Sequence, residues 1–356
     1  MTKQIAQIRK ILPPRGAALV SAPVSRCCLT GFESSDGLLF VTRDSALFLT
    51  DSRYIEAARE AITACPVEEL RDAAKQMPAL CKKHRVKRLF VELGRTTLEE
   101  ALRLRKRLPG VHIEVRNRRM DKQLREIRLR KTPEEADCIR RAQGIAEQAF
   151  GYILENLKPG MTEREIALEL DYAMLRGGAQ ALSFETIAVA GENGSKPHGV
   201  PGERKIRTGD LLTLDFGAVI DGWHSDMTRT VAIGEPGKEQ RKLYGIVLEA
   251  QQAALEKLGS GVACREIDKA ARDVIENAGY GEHFRHGTGH GVGLEIHEAP
   301  NLSRKSKDVL APGMVVTVEP GIYLPGNCGV RIEDMALITG TGYENLTKAG
   351  KELIIL

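Results

Sequence analysis

The sequence has no apolar run long enough to cross a membrane. Nowhere among its 356 residues do about 18 consecutive apolar residues occur. The start, MTKQIAQIRKILPPRG, has neither an apolar core nor the cleavage-site pattern of a signal peptide. The net charge is only +4, because 52 basic residues are balanced by 48 acidic ones. The sequence therefore predicts a globular cytoplasmic protein, with neither a nucleic acid nor a membrane as a partner.

Paired cysteine spacing is absent as well. The seven cysteines are odd in number, scattered and free of C-x-x-C pairs, which argues against a disulfide framework or a thiolate zinc site. We expect reduced thiols that act as small buried hydrophobic residues. The chain also lacks an H-E-x-x-H motif and a G-x-S-x-G elbow, and the glycines of 287–293 lack the order of a phosphate-binding loop. Zincin, serine hydrolase and nucleotide-binding classes are therefore unsupported.

The N-terminal third alternates short strands with helices. Strands are predicted at 18–20, 38–41, 46–50, 88–92 and 111–115, and helices at 51–62 and 96–108. This pattern indicates a small α/β domain, which we place at residues 1–125, before a second domain at 126–356.

A basic stretch, RNRRMDKQLREIRLRK (116–131), follows the small domain. Asp121 and Glu126 interrupt it and no aromatic residues interleave it, so a solvated interdomain helix is favoured over a nucleic-acid patch. Thr132 and Pro133, followed by two glutamates, are typical of a helix start, which we take as the first helix of the second domain.

The second domain contains a weak internal repeat. Residues 157–178 and 258–279 align without gaps at an offset of 101, with identical glycines near both ends. Each copy is predicted to be the second helix of a pair that is followed by strands. Two α-α-β halves would place helices outside one curved antiparallel sheet, with a site between the halves.

Two aspartates interrupt the apolar, β-branched stretch LLTLDFGAVIDGWHSDMTRT (211–230). Asp221-Gly222 predicts a two-residue hairpin turn, in which the numbers of paired residues sum to 443. Asp215 then lies opposite Thr228 and shares a face with Asp226, with the two backbones roughly 7–8 Å apart. Two converging carboxylates need a cation, although this segment alone is equally compatible with solvated aspartates.

The same oddity recurs further along the chain. Glu319 in VVTVEPGIY and Glu333 in GVRIEDMALI interrupt other β-branched runs, and FRHGTGHGVGLEIHE (284–298) places histidines among glycines that allow close backbone approach. Four carboxylates and an imidazole suit two divalent ions of the manganese, cobalt, iron or zinc kind. Two such ions about 3.5–4 Å apart can share bridging carboxylates and activate a water molecule.

These motifs resemble those of the pita-bread metallopeptidases, which include methionine aminopeptidase, aminopeptidase P and prolidase. Similarity also extends through LSFETIAVAGENGSKPHG (182–199), and the preceding small domain resembles that of the two-domain, proline-specific branch. The resemblance implies a creatinase-type α/β N-terminal domain and an α+β pita-bread C-terminal domain, with a curved antiparallel sheet and a pseudo-two-fold repeat.

The resemblance also implies roles for particular residues. Asp215 would chelate one metal ion, His290 and Glu319 the other, and Asp226 and Glu333 would bridge the two. The ions would be manganese or cobalt, with zinc or iron as alternatives. Glu319 would also accept a proton from the attacking water.

The remaining implied residues concern the substrate. His198 and His297 resemble the pair that positions substrate and stabilises the tetrahedral intermediate, and His286 would assist as a proton relay. Arg331 shares a strand face with Glu333 by parity and would orient either Glu333 or the carboxyl terminus of the substrate, unless it serves only as a structural partner for an acid. Tyr323 is a further pocket candidate.

The predicted function is hydrolysis of the bond between an N-terminal residue and a following proline, by a homodimeric Xaa-Pro aminopeptidase or dipeptidase. The proline preference rests on the resemblance alone. A broader or methionine-type aminopeptidase is one alternative, and a non-catalytic binding protein on this fold is another. Creatinase, an amidinohydrolase of related fold, works without this metal set, so the site and not the fold has to decide.

Overall fold

The structure is a computed structural model that describes residues 3–356. The chain divides into two compact units, the first ending at Arg128 and the second spanning Leu129–Leu356. The division falls three residues beyond the predicted boundary at 125. Each unit contains two hydrophobic clusters of its own, as expected of domains that fold around separate cores.

The first unit is built on a six-stranded mixed sheet, in the order β4-β3-β2-β1-β5-β6. Its strands are β1 (Gly16–Val20), β2 (Leu38–Thr42), β3 (Ala46–Thr50), β4 (Val67–Glu69), β5 (Arg88–Val91) and β6 (His112–Glu114). Its helices are α1 (Lys3–Ile11), α2 (Pro23–Thr30), α3 (Ile55–Ala61), α4 (Ala73–Lys83), α5 (Leu98–Arg107) and α6 (Arg119–Leu129). All five predicted strands and both predicted helices are confirmed. The predictions omitted β4, whose sequence Val-Glu-Glu has almost no strand signal.

The basic stretch forms helix α6, but its interpretation as a solvated interdomain helix is wrong. Met120, Leu124 and Ile127 recur at helical spacing and are buried in the core of the first unit, in the same cluster as residues of α1. Asp121 accepts hydrogen bonds from two backbone N–H groups at 93 and 94. The basic residues cover the outer face only, so the helix is one wall of the first domain.

The second unit carries four helices and the remaining strands. The helices are α7 (Pro133–Asn156), α8 (Glu163–Arg176), α9 (Lys238–Glu256) and α10 (Cys264–Asn277). The strands are β7 (Ala181–Leu182), β8 (Ile187–Ala190), β9 (Leu211–Phe216), β10 (Ala218–Ile220), β11 (Trp223–His224), β12 (Met227–Ala232), β13 (Gly289–Gly291), β14 (Glu298–Leu302), β15 (Val315–Val318), β16 (Gly321–Leu324), β17 (Cys328–Arg331), β18 (Asp334–Ile338) and β19 (Tyr343–Asn345). They pair antiparallel in the groups β12-β9-β8, β11-β10-β7, β14-β13-β15-β18-β19 and β16-β17. Helix α7 begins at the predicted cap, because Thr132 and Glu135 form a capping box.

The internal repeat is visible in the backbone. Helices α8 and α10 are the second members of the pairs α7–α8 and α9–α10, and strands follow each pair. The matching glycines Gly160 and Gly261 both have positive φ, as do Gly178 and Gly279, which explains why the repeat keeps glycine there. Each half therefore uses the same turn to enter the helix and the same turn to leave it.

The aspartate hairpin has the predicted register. Asp221 and Gly222 have φ values of +52° and +77°, as a type I′ turn requires. Ile220 pairs with Trp223, and Asp215 pairs with Thr228. Since side chains alternate along each strand, Asp215 and Asp226 point to the same side of the hairpin.

Within residues 3–356, every helix is too short or too polar to span a bilayer. None of the seven cysteines, all of which lie in the described part of the chain, forms a disulfide. The expectation that each is buried is wrong for Cys27, Cys28, Cys65 and Cys138, which are partly exposed. For Cys138 the reason is a polar contact, since its sulfur lies 3.1 Å from the Arg141 guanidinium.

Two glycine substitutions with opposite expected effects test the backbone argument. Gly279→Ala forces a Cβ into the left-handed region and should destabilise the second unit by about 1–2 kcal/mol. Gly245 lies on the exposed face of α9, with open space around an added Cβ. Gly245→Ala should therefore stabilise the second unit by up to about 1 kcal/mol. Thermal unfolding midpoints of the two variants should move in opposite directions. A stabilised Gly279→Ala protein would contradict the assignment of the turn.

Candidate metal centre

A cavity of about 760 Å³ lies in the second unit. Its wall contains all ten residues that the sequence singled out for metal binding, catalysis or substrate binding: Asp215, Asp226, His290, Glu319, Glu333, His198, His297, His286, Arg331 and Tyr323. They come from segments up to 135 residues apart, between His198 and Glu333. Their individual roles stay predictions, but the structure brings them together in one place.

The five predicted ligands lie within strands or directly beside them. Asp215 is near the end of β9, Asp226 directly precedes β12, and His290 is the central residue of β13. Glu319 directly follows β15, and Glu333 lies between β17 and β18. Because each strand is fixed by its neighbours in an antiparallel ladder, none of the five is on a freely moving loop.

Three of these ligands converge closely. Single ligand atoms of Asp226, His290 and Glu333 all lie within 4.8 Å of one another. His290 Nε2 is 3.5 Å from Asp226 Oδ2 and 3.4 Å from Glu319 Oε1. His290 Nδ1 lies 3.1 Å from the carbonyl oxygen of Gly291, so Nδ1 carries the proton. The bare Nε2 lone pair then faces two carboxylates, an arrangement that a metal ion would satisfy.

The electrostatics of the cavity point the same way. Burial raises the pKa of Asp226, Glu319 and Glu333, and neighbouring carboxylates raise it further. Asp226 is 4% exposed and Glu333 only 2%, so water screens their repulsion poorly. Burial also lowers the pKa of His286, His290 and His297, which keeps these imidazoles neutral. Among the described residues that line the cavity, Arg331 is therefore the one cationic side chain, and it faces four carboxylates.

One atom in the cavity wall lacks a hydrogen-bond partner. Asp215 Oδ1 is buried without one, whereas Asp215 Oδ2 accepts from Arg331 Nη2 at 2.5 Å. A buried carboxylate oxygen in that state is costly unless a cation binds it. Four carboxylates face one guanidinium here, so the residues fit a divalent metal centre made of hard oxygen donors and one imidazole.

Arg331 contacts a different acid from the one its strand parity suggested. Its guanidinium binds Asp215, Tyr323 Oη at 2.8 Å and the carbonyl oxygen of Pro197 at 3.1 Å. It is therefore the structural partner of an acid, one of the alternatives left open, and it is linked to Glu333 through Thr228. Parity identified the face correctly, but the long side chain reaches past its own strand to β9. Burial lowers the pKa of Arg331, but Tyr323 and Asp215 outweigh this and keep its pKa above its usual value.

Two threonines support the ligands and were not predicted as site residues. Thr228 Oγ1 donates to Glu333 Oε2 at 2.6 Å and accepts from Arg331 Nε at 3.1 Å. Thr317 Oγ1 accepts from the backbone N–H of His290 at 3.0 Å and donates to Glu319 at 3.3 Å. Each threonine lies two residues from a ligand on the same strand face, and that spacing is the signal that could have identified them.

The glycines around His290 are required for close approach, as the sequence indicated. A Cβ at Gly289 would lie 2.0 Å from the carbonyl oxygen of Thr317, and one at Gly291 would lie 2.2 Å from that of Ala299. Strand β13 therefore passes so close to its two neighbours that only glycine fits on either side of the histidine.

The three other histidines differ in how they are held. His286 is fixed at both ring nitrogens, by the carbonyl of Gly287 at 2.8 Å and by Tyr323 Oη at 3.0 Å. His297 packs edge-on against His290 with ring centroids 4.4 Å apart. His198 lies in the loop that follows β8 and faces the cavity with Pro197 and Gly199.

Two family models match the chain. Residues 15–130 match the creatinase/prolidase N-terminal domain, and residues 137–340 match metallopeptidase family M24. The chain belongs to metallopeptidase family M24. It therefore has the two-domain pita-bread architecture that the sequence predicted, and it is a hydrolase that uses divalent metal.

Proteins similar to this M24 peptidase include both dipeptidases and aminopeptidases. An Xaa-Pro dipeptidase of Pyrococcus furiosus is 44% identical over 67% of this chain and 68% of its own length. The structure of an Xaa-Pro dipeptidase from Bacillus anthracis superposes with a TM-score of 0.94 at 38% identity, covering 99% of each chain. An X-Pro aminopeptidase from Thermotoga maritima gives 0.89 at 32% identity, over 96% of this chain and 97% of its own.

Replacing Asp226 with asparagine should weaken metal binding and at the same time raise the stability of the metal-free protein. The variant removes one of the closely spaced carboxylates, so metal affinity should fall by at least about 100-fold and peptidase activity should be lost. The metal-free variant should unfold at a higher temperature than the metal-free wild type, because one repulsive buried charge is gone. Calorimetric metal titration and thermal unfolding would measure the two effects.

Asp221→Asn is the matched control on the same hairpin. Asp221 lies at the exposed turn and pairs with Arg141 on the surface. The metal affinity of the Asp221→Asn protein should therefore equal that of the wild type. Unchanged metal affinity in Asp226→Asn, or an equal loss in Asp221→Asn, would contradict the placement of the metal centre.

The buried carboxylates should make the metal-free protein less stable as pH rises, against an opposite contribution from His286, His290 and His297, whose pKa values are lowered. Asp226, Glu319 and Glu333 have raised pKa values in the fold, so they bind protons that the unfolded chain has already released. The resulting stabilisation is complete below the ordinary carboxyl pKa and is lost as pH rises through the raised values. Relative to Asp226→Asn, which has the same three histidines, the unfolding midpoint of the metal-free wild type should therefore fall as pH rises above the ordinary carboxyl range. A parallel pH dependence of the two proteins would contradict this.

Proposed function

We propose that this M24 peptidase removes an N-terminal residue that precedes proline, as an Xaa-Pro dipeptidase or Xaa-Pro aminopeptidase, with two divalent metal ions. The observation that carries the proposal is the convergence of four carboxylates and the bare Nε2 of His290 on one cavity. The proline preference is supported by the names of similar proteins from Pyrococcus furiosus, Bacillus anthracis and Thermotoga maritima.

The metal ions would be held by the five predicted ligands. Asp215 would bind one ion, His290 and Glu319 the other, and Asp226 and Glu333 both. Manganese or cobalt suits this oxygen-rich set best, with zinc or iron as alternatives. When bound, the ions would supply a water molecule that ionises near neutral pH and would polarise the scissile carbonyl.

Glu319 is the proposed acceptor of the proton from the attacking water. Its carboxylate lines the cavity, with Oε1 3.4 Å from Nε2 of the proposed ligand His290, which places it within reach of a water molecule bound there. Thr317 Oγ1 lies 3.3 Å from Glu319 Oε1, and the Glu319 backbone N–H donates to the carbonyl of Thr288 at 2.7 Å. These contacts fix the carboxylate while it takes and returns the proton.

His198 and His297 are the proposed donors to the tetrahedral intermediate and the leaving nitrogen. Both line the cavity, and His297 packs against the ligand His290, so an imidazole stands beside the reacting centre. The pKa of His297 is lowered by burial, so it donates a hydrogen bond as a neutral ring. His286 acts less directly, because both of its nitrogens are already bonded and it holds Tyr323.

Arg331 and Tyr323 form the wall against which the substrate binds. Burial raises the pKa of Tyr323 to about 12, so its hydroxyl stays protonated and donates to His286 while accepting from Arg331. Arg331 is already bound to Asp215. Its proposed main task is therefore to orient that ligand, and it would bind the carboxylate of a substrate only by sharing a donor.

We further propose a reducing cytosolic compartment and a homodimer. The compartment is supported by the seven cysteines, which form no disulfide. We also propose residues 1–125 as the creatinase-type domain and residues 126–356 as the catalytic domain.

A substrate panel tests the proposed function. Ala-Pro, Ala-Pro-Ala and Met-Ala-Ala would be incubated with the enzyme loaded with manganese, cobalt or zinc, and release of the first residue measured. We expect kcat/KM for the proline peptides to exceed that for Met-Ala-Ala by about 100-fold or more, because a pocket shaped to the ring discriminates by several contacts. The ratio between Ala-Pro and Ala-Pro-Ala distinguishes dipeptidase from aminopeptidase.

Ala-Ala and Ala-Ala-Ala are the matched controls, since they differ from the test peptides only in the second residue. Equal turnover of all the peptides would refute proline specificity and favour the broader aminopeptidase. If enzyme that carries stoichiometric metal cleaved none of them, the peptidase function itself would be refuted.

A further inference from the structure

Helix α8 carries a buried carboxylate outside the proposed metal centre. Glu163 lies in the first turn of α8 and has 0% of its surface exposed. Its Oε1 accepts from the backbone N–H of Ala190 at 2.8 Å, and its Oε2 accepts from the Asn193 side-chain amide at 2.8 Å and the N–H of Gly202 at 3.1 Å. Hydrogen bonds to an ionised acceptor are stronger than neutral ones, so this carboxylate fixes both ends of the 190–202 segment.

The segment held by Glu163 is the one that carries His198. Residues 197–201 line the cavity, and the carbonyl of Pro197 accepts a hydrogen bond from Arg331. Asn193 joins the two ends, because its amide donates both to Glu163 and to the carbonyl of Val200 at 3.1 Å. The position of His198 therefore depends on Glu163 on one side and on Arg331 on the other.

The second half of the unit has a counterpart on α10. Asp268 is also 0% exposed, and its Oδ1 accepts from the backbone N–H of Thr288 at 3.1 Å and from Thr288 Oγ1 at 3.0 Å. It also binds Arg272, whose guanidinium donates to the carbonyls of Phe284 and His286 at 2.8 Å each. The 284–288 segment, which carries His286, is thus fixed by side chains of α10.

This second contact reaches the proposed metal ligands in one further step. The carbonyl of Thr288 accepts the backbone N–H of Glu319 at 2.7 Å, and His290 follows Thr288 by two residues. Moving Thr288 would therefore displace a proposed ligand and the proposed proton acceptor together. Glu163, by contrast, contacts a segment that carries none of the five proposed metal ligands.

We propose that Glu163 and Asp268 are positioning residues of the active site: Glu163 sets the place of His198, and Asp268 sets that of His286 and Glu319. The proposal rests on the proposed function of those three residues. The two carboxylates do not occupy equivalent places in the repeat, since Glu163 aligns with Cys264 and Asp268 with Ala167. Each half of the duplicated framework thus holds its own catalytic loop by a separate contact from its second helix.

The test uses the full-length, metal-loaded protein with Glu163→Gln and Asp268→Asn. Each change retains shape but places an amide N–H₂ against a backbone or side-chain N–H donor, so at least one hydrogen bond to a charged group is lost. Amide hydrogen exchange should become about 10-fold faster or more in 190–202 for Glu163→Gln and in 284–288 for Asp268→Asn. Each variant is the control for the segment of the other. Glu169→Gln, the same change on the same helix, should alter neither segment.

Activity and metal affinity should separate the two variants. Glu163→Gln should lower kcat/KM by about 10-fold or more with metal affinity unchanged, whereas Asp268→Asn should weaken both. If Glu163→Gln folds poorly, Asn193→Ala can replace it in these measurements. It removes one hydrogen-bond donor to Glu163 and no charge, so it should show the same effects in weaker form. The exchange and metal measurements need no peptide hydrolysis, so their failure is distinct from a failure of the wild type to cleave Xaa-Pro peptides.

A double-mutant cycle decides whether Glu163 acts through His198. In a His198→Ala background, Glu163→Gln should change kcat/KM little further, because the positioned group is gone. Full additivity of the two changes, or unchanged exchange in 190–202, would overturn the role of Glu163. Wild-type metal affinity in Asp268→Asn would overturn that of Asp268.

Discussion

The structure of the second unit depends on one constraint: four carboxylates, of which Asp226 and Glu333 are buried, must lie together in one cavity whose wall carries the guanidinium of Arg331. Like charges in a poorly solvated cavity repel strongly, so the metal-free fold can keep Asp226, Glu319 and Glu333 together only by protonating them or by holding them rigidly. A bound cation removes this cost. Metal binding and the stability of this unit are therefore two aspects of the same electrostatic balance.

The strands around the cavity are held by a second buried ion pair, in addition to the Arg331–Asp215 pair of the cavity wall. Arg229 and Asp334 are both buried and form an ion pair at 2.8 Å. Arg229 Nη1 also donates to the backbone carbonyl of Glu333 at 2.6 Å, and its guanidinium holds the carbonyls of Ala349 and Gly350. Every Arg229 nitrogen therefore has an acceptor, so this pair is inexpensive to bury and it fixes the strand end from which Glu333 projects.

The parts of the site that could be predicted from the sequence are those set by the two-residue alternation of side chains along a strand. The Asp221-Gly222 turn set the register of its hairpin, and parity placed Asp215 and Asp226 on one face. Contacts between distant strands follow no such rule. The Arg331–Asp215 pair joins residues 116 apart and depends on how β17 passes β9, which parity along a single strand cannot reveal.

Helix α6 is a case in which amino-acid composition gave the wrong prediction. Its basic residues suggested a solvated linker, yet Met120, Leu124 and Ile127 at helical spacing pack into the core of the first unit. Charge content reports only on the outer face of a helix, whereas the spacing of a few apolar residues reports on the inner one. A reading by spacing would have assigned the helix to the first domain.

The donor atoms available to a metal ion in the cavity include no thiolate, although a cysteine lies close to the site in sequence. Cys328 is close in sequence to Arg331 and Glu333, but its sulfur is buried in the hydrophobic cluster and burial raises the pKa of its thiol to about 11. A thiol in that state neither binds metal nor reacts readily with oxidants. The donors that remain are carboxylate oxygens and one imidazole, a set that suits a divalent metal ion with no need of thiolates. Fixing these oxygens before any metal arrives is what the buried Arg229–Asp334 pair, the paired strands and the threonines at 228 and 317 accomplish.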